Sequence, residues 1–170
     1  MLTALTLLSA TTAAYFDFRW RRIPNWLVAA TIVLSLSYHS WSSGLEGFKA
    51  SGAGLLVGGA LLLPLYLLKG MGAGDVKFFA AIGAAVTFQH IIAVFVFAAL
   101  IAGGMALFRV VAAHAFVATL SNIADILNRF FHGRIGPHPV ARLANENALV
   151  IPFGVSVAAA TWLFVLLGSK

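Results

Sequence analysis

Cysteine is absent from this chain, which excludes disulfides and thiolate metal ligands. Charge is almost as scarce: Asp and Glu number 5, Lys and Arg number 11, and charged residues make up 9% of the 170 residues. An ordinary soluble domain carries about 25%. Period-two alternation of apolar and polar residues is missing too, which argues against a β-barrel. No basic residues precede the first apolar stretch. Arg19, Arg21 and Arg22 follow it instead, the reverse of a secretory signal, so residues 1–16 read as a first spanning helix kept in the mature chain.

What remains is apolar. Hydrophobic residues make up 61% and the mean hydropathy is +0.97. Uncharged runs cover residues 1–16, 23–45, 50–68, 78–108, 110–124 and 147–169. A bilayer crossing takes about 20 mostly apolar residues, so the chain reads as an all-α, polytopic integral membrane protein of six transmembrane helices. The expected helices are 2–18, 25–41, 50–68, 75–88, 90–118 and 148–167. Two places could separate the fourth from the fifth, Gln89-His90 and Gly103-Gly104, and either leaves six spans. No internal repeat or low-complexity linker divides the chain, so residues 1–170 form a single domain.

The formal net charge of +6 does not mark a nucleic-acid binder, because the basic residues sit at the ends of apolar helices. Six spans put both termini on one side. Arg19, Arg21, Arg22, Lys69, Lys77, Arg109, Arg129, Arg134 and Arg142 then fall together on the other side, leaving Lys49 and Lys170 opposite. By the positive-inside rule the basic loops are cytoplasmic. The long polar stretch at 119–147 has Ile123, Ile126, Leu127 and Phe130 at helical spacing, which suits an amphipathic helix at the interface. Gly133, Gly136, Pro137 and Pro139 then break it. It serves either as a tether or as a flap or docking surface over a site.

The same topology brings two scarce acids into one layer. Asp17 closes helix 1 in YFDFRWRRIPN, and Asp75 opens helix 4 in KGMGAGDVK. Asp75 alone could be a helix N-cap, and Asp17 alone could pair with neighbouring arginines. Placing an Asp deep in a spanning helix costs roughly 2.5–3.5 kcal/mol, so two in one layer are more informative than either. Two adjacent carboxylates share a proton, because both cannot ionise comfortably. The ionised one can take a proton from water while the protonated one donates to a peptide carbonyl oxygen, which is the chemistry of aspartic peptide hydrolysis. Gly70, Gly72 and Gly74 allow a sharp turn and a close approach of backbone. This is not a phosphate loop, since no lysine and hydroxyl follow Gly74.

The pieces D17-F-R-W-R-R-I-P-N25, G72-A-G-D75-V-K77 and I151-P-F-G154 together resemble the GxGD-type membrane aspartic peptidases, specifically the type IV prepilin peptidases of the compact branch linked to tight-adherence (Flp) pili. The resemblance implies that Asp17 and Asp75 are catalytic and that no cofactor is needed. It also implies that the partners are type IV pilin-like precursors, cut after glycine at the cytoplasmic face of the bacterial inner membrane. Larger members that N-methylate the new terminus carry an amino-terminal cytosolic region, often with paired cysteines. That region has no counterpart here, and methyl transfer stays open.

Around this pair the supporting candidates are Gly72, Gly74, Lys77, Arg21, Arg22, Pro24, Asn25 and Pro152. Arg21 and Arg22, with Arg19, act as topology anchors or contact substrate and membrane lipids. Lys77 either influences the charge of Asp75 or anchors the helix. Pro24 and Asn25 begin helix 2. Pro152 kinks helix 6, making room near the site or forming a simple packing bend. His132 and His138 lack a carboxylate ligand set, so no metal is expected. The small-xxx-small spacing of Gly54 and Gly58 serves helix packing inside the bundle rather than a dimer seam, and the oligomeric state stays open. The competing functional class is a small ion-coupled transporter or channel subunit. It would need a polar route through the bilayer, which helices 3 and 5 do not offer.

Overall fold

A computed structural model describes residues 2–114, 116–131 and 153–168. Helices account for nearly all of them: α1 (Leu2–Trp20), α2 (Asn25–Leu67), α3 (Ala73–Val86), α4 (Phe88–Ala112), α5 (Phe116–Phe131) and α6 (Phe153–Gly168). In a solvent without hydrogen-bonding capacity the backbone must satisfy itself, and a helix does so within one segment. Helices α2 and α4 are long and apolar enough to cross a bilayer.

Helix α2 is not one rod. Its backbone leaves helical geometry at Ser43 (φ −136°, ψ 16°) and Gly44 (φ 57°, ψ −139°). In an unbroken helix, residues eight apart lie about 12 Å apart. Here a Cβ on Gly47 would run into the carbonyl oxygen of His39, so the chain doubles back. The separate helices expected at 25–41 and 50–68 are therefore the two arms of α2. The intervening residues are helical up to the reversal and resume at once beyond it, where an open loop was expected. Just past the turn, the Lys49 ammonium pairs with Glu46 at 2.9 Å.

The bundle is small inside and large outside. Phe78, Phe79, Leu62, Ile82, Ile91, Val94 and Val157 are fully buried, alongside Ala10, Ala13, Ala81, Ala84, Ala98 and Ala160. Many large apolar residues, among them Leu8, Trp41, Leu56, Leu100 and Phe108, face outward. Water would penalise such a surface, whereas lipid does not. The second arm of α2 packs on α3 along a glycine seam. A Cβ on Gly54 would meet the carbonyl oxygen of Gly83, one on Gly83 that of Gly54, and one on Gly58 would lie 2.9 Å from the Phe79 carbonyl oxygen. The Gly54 and Gly58 spacing is thus used inside the chain, as expected.

Helix α3 ends abruptly at Thr87, whose φ of 67° is strained for a β-branched residue. Neither Gln89-His90 nor Gly103-Gly104 is the break; both lie within α4. The carbonyls stranded at the end of α3 find side-chain donors instead of backbone ones. Ser51 Oγ donates to Ala84 O at 2.7 Å, His39 Nε2 lies 3.1 Å from Ala85 O, and His90 Nδ1 lies 2.9 Å from Val86 O. These polar side chains in otherwise apolar helices hold α3 at the end remote from Asp75.

Helix α6 packs against both α1 and α4. Trp162 Nε1 donates to Thr11 Oγ1 at 3.0 Å, and the Phe164 ring lies 5.3 Å from that of His90. The fifth helix was expected to run to residue 118, but α4 stops at Ala112, with His114 at φ 51°. The amphipathic segment then begins at Phe116, earlier than the expected 119, and continues as α5 to Phe131. Its polar and apolar residues are more sharply segregated by face than those of the other helices described here.

Candidate active site

Three helix ends meet at the end of the bundle opposite the Ser43-Gly44 reversal. Asp17 lies one turn before the end of α1 and is 7% exposed. After it the chain leaves the helix with Arg21 in the left-handed region (φ 50°), its amide still donating to the Asp17 carbonyl at 2.9 Å. Ile23 is buried, and Pro24 takes the N-cap of α2 with its carbonyl accepting from Leu27 and Val28. Proline suits this place because its fixed φ leads into the helix and its missing N–H is not needed there. Asn25 is the first helical residue.

The Asp17 carboxylate is held from α6. The Gly154 amide donates to Oδ2 at 2.7 Å, and the Val155 amide lies near enough to act on the same carboxylate. These are first-turn amides of α6, which have no partners within their own helix. The Arg21 charge acts on the same carboxylate.

Asp75 comes in on α3. The N-cap of that helix is Gly72 in extended conformation (φ −76°, ψ 147°), so Asp75 is the third helical residue rather than the cap. Its carboxylate reaches back toward the Gly72 amide, the direction taken by the reciprocal half of a capping box. The two carboxylates are near enough for the charge of Asp17 to act at Asp75.

The glycines work differently from the sequence expectation. Neither Gly72 nor Gly74 has a positive φ. Gly72 lies close under Asp75, where an added Cβ would be 3.3 Å from Oδ2, and Gly74 faces Ile23 at 3.8 Å. The sharp turn is made one step earlier, with Lys69 at φ 59°. There the Gly70 amide donates to Leu65 O at 3.0 Å and the Lys69 amide to Tyr66 O at 2.9 Å. That is the Schellman pattern, with lysine in the position usually given to glycine.

Arg21, Arg22, Asn25 and Lys77 are exposed and Pro24 is partly buried. Pro152, His132, His138 and the broken stretch from Gly133 to Pro139 lie outside the described residues. Among the described residues no cluster of three or more His, Asp or Glu side chains comes together. The sequence reading did not select Gly154, although it stands in the IPFG segment beside Pro152. It also overlooked His39 and Ser51, whose role depends on where α3 stops.

The fold is that of an all-helical membrane protein, and Asp17 and Asp75 lie at one end of it. The model of the type IV leader peptidase family matches residues 4–107, a stretch that runs from α1 into α4 and contains both Asp17 and Asp75. The chain belongs to that family, the prepilin peptidases. No curated protein and no solved structure matches it. A leader peptidase function takes the place of the transporter alternative, and pilin precursors are the substrates the family implies.

Proposed function

We propose that this leader peptidase is an aspartic endopeptidase whose catalytic pair is Asp17 and Asp75. The observation that carries this reading is the convergence of these acids from the end of α1 and the start of α3, within electrostatic reach of each other. In the reaction one carboxylate takes a proton from a water molecule lying between the pair, and the water oxygen attacks the scissile carbonyl carbon. The other, protonated, carboxyl donates to the carbonyl oxygen. The tetrahedral intermediate then collapses, the C–N bond breaks, and a proton passes to the leaving amine. The pair titrates as a unit, so base and acid exchange roles through the cycle.

The substrates are type IV, Flp-like prepilins, cut after glycine at the cytoplasmic face of the inner membrane by a multi-pass enzyme. The basic residues flanking both aspartates support that orientation, since Arg19, Arg21, Arg22, Lys69 and Lys77 gather at this end. A precursor's short leader followed by an apolar helix would bring its scissile bond to the depth of the pair. Lipids contact the apolar outer surface. The supporting roles of Gly72, Gly74, Lys77, Arg21, Arg22, Pro24, Asn25 and Pro152 belong to the same proposal.

The test is cleavage of a co-expressed pilin-like precursor read by mass spectrometry, which reports the cut position and any added methyl together. General acid-base groups contribute about 10²- to 10⁴-fold, so Asp17→Asn and Asp75→Asn should each lower cleavage at least about 100-fold while the folded protein accumulates normally. Undiminished cleavage by both variants rejects the mechanism.

A further inference from the structure

We infer that Gly154, at the start of α6, is a positioning residue for Asp17, and that the absence of a side chain there is a requirement of the reaction centre. This rests on the reading of Asp17 as catalytic. Two independent features of residue 154 meet at the same carboxylate. Its amide donates to Asp17 Oδ2 at 2.7 Å. A Cβ built on it would lie 2.8 Å from Oδ2, 3.0 Å from Asp17 Cβ and 3.1 Å from Cγ. Ordinary Cβ contacts begin near 3.4 Å, so any larger residue must displace Asp17 or part α6 from α1.

The demand is not conformational. Gly154 lies in the first turn of α6 without a positive φ, so its backbone conformation is open to alanine, and the helix beyond it supplies Ala158, Ala159 and Ala160. What excludes it is the carboxylate of another helix. Asp17 is buried on a helix whose own backbone is already satisfied, so its orientation depends on donors from outside. The α6 amides provide them only when the two backbones approach this closely. The reach of Asp17 toward Asp75 is thereby set by α6, a helix that carries neither acid.

The experiment uses the full chain in detergent or proteoliposomes with a pilin-like precursor. Displacing a reacting group by about 1 Å can cost about 100-fold in rate. Gly154→Ala is expected to lower kcat by about 10- to 100-fold with KM changed by less than about twofold. Gly103→Ala, where an added Cβ meets nothing within 4 Å, should leave both unchanged. A coupled measurement separates this proposal from the catalytic one. Gly154→Ala should lower Tm in the parent chain, and the loss should disappear in an Asp17→Gly background, where all three opposing atoms are gone. An unchanged kcat in Gly154→Ala overturns the positioning role, as does a Tm loss that persists without the Asp17 side chain. If Gly154→Ala fails to fold alone, a folded Asp17→Gly/Gly154→Ala chain supports the proposal and an unfolded one overturns it. Should Asp17→Asn cleave normally, the catalytic reading fails while the Tm coupling still reports on the contact.

Discussion

Replacing Ser51 by alanine removes one hydroxyl from a fully buried position, and its cost follows from what that hydroxyl does. Ser51 Oγ donates to the Ala84 carbonyl at 2.7 Å, past the point where α3 can supply a backbone donor. Without it the carbonyl is stranded in an apolar setting. A buried acceptor left unpaired costs about 1–3 kcal/mol, and in a chain of this size each 1 kcal/mol shifts Tm by about 2–4 °C. Ser51→Ala should therefore lower Tm by roughly 2–12 °C. Ser42→Ala is the control, since its exposed hydroxyl makes a longer contact of 3.3 Å with His39 O; its change should stay within about 0.5 kcal/mol. Unfolding is followed in detergent, and cleavage of a pilin-like precursor is measured on the same samples. Asp75 lies nine residues before Ala84, about 13 Å along α3, so turnover per folded molecule should hold to within twofold. A Tm for Ser51→Ala equal to that of Ser42→Ala would refute the capping argument, and lost turnover in a fully folded sample would refute the separation of the two ends.

Two further outcomes are expected of the scaffold. Gly83→Ala places a methyl group on the Gly54 carbonyl, and because backbone rather than a flexible side chain opposes it, the loss should reach about 1–3 kcal/mol or more; a melting curve matching that of the parent would show that α2 and α3 separate freely. Lys69→Gly relieves a left-handed residue of about 1–2 kcal/mol and gives back part of that as chain entropy, so Tm should rise by about 1–4 °C. A fall would mean that the lysine side chain contributes more than its backbone costs.

The amount legible in the sequence follows from which forces act locally. Uncharged runs reveal apolar helices because the bilayer tests every residue of a run, and α1, α3 and α6 begin or end within a few residues of expectation among the described residues. The meeting of Asp17 and Asp75 was legible because antiparallel crossings return the chain to the same face. The α2 reversal was placed too broadly, since Ser43 and a positive-φ Gly44 accomplish it within two residues. The break before α4 falls two residues ahead of the expected Gln89-His90, because Thr87, a β-branched residue, adopts a positive φ that no local preference announces. Lys69 in place of a capping glycine misdirected the reading of GMGAG toward tight turning. Gly154 was not selected because its meaning comes from a carboxylate 137 positions earlier.

That long separation bears on synthesis. A ribosome delivers Asp17 well before the amide that steadies it, so a nascent chain halted after α4 would already hold both acids yet lack the clamp on the first. If Asp17 is catalytic as proposed, its carboxylate would be oriented for cutting only once α6 has been made and has docked on α1. Supplying α6 as a separate polypeptide to a chain ending before it, and finding cleavage restored by the native segment but not by one bearing alanine at position 154, would show this late arming directly.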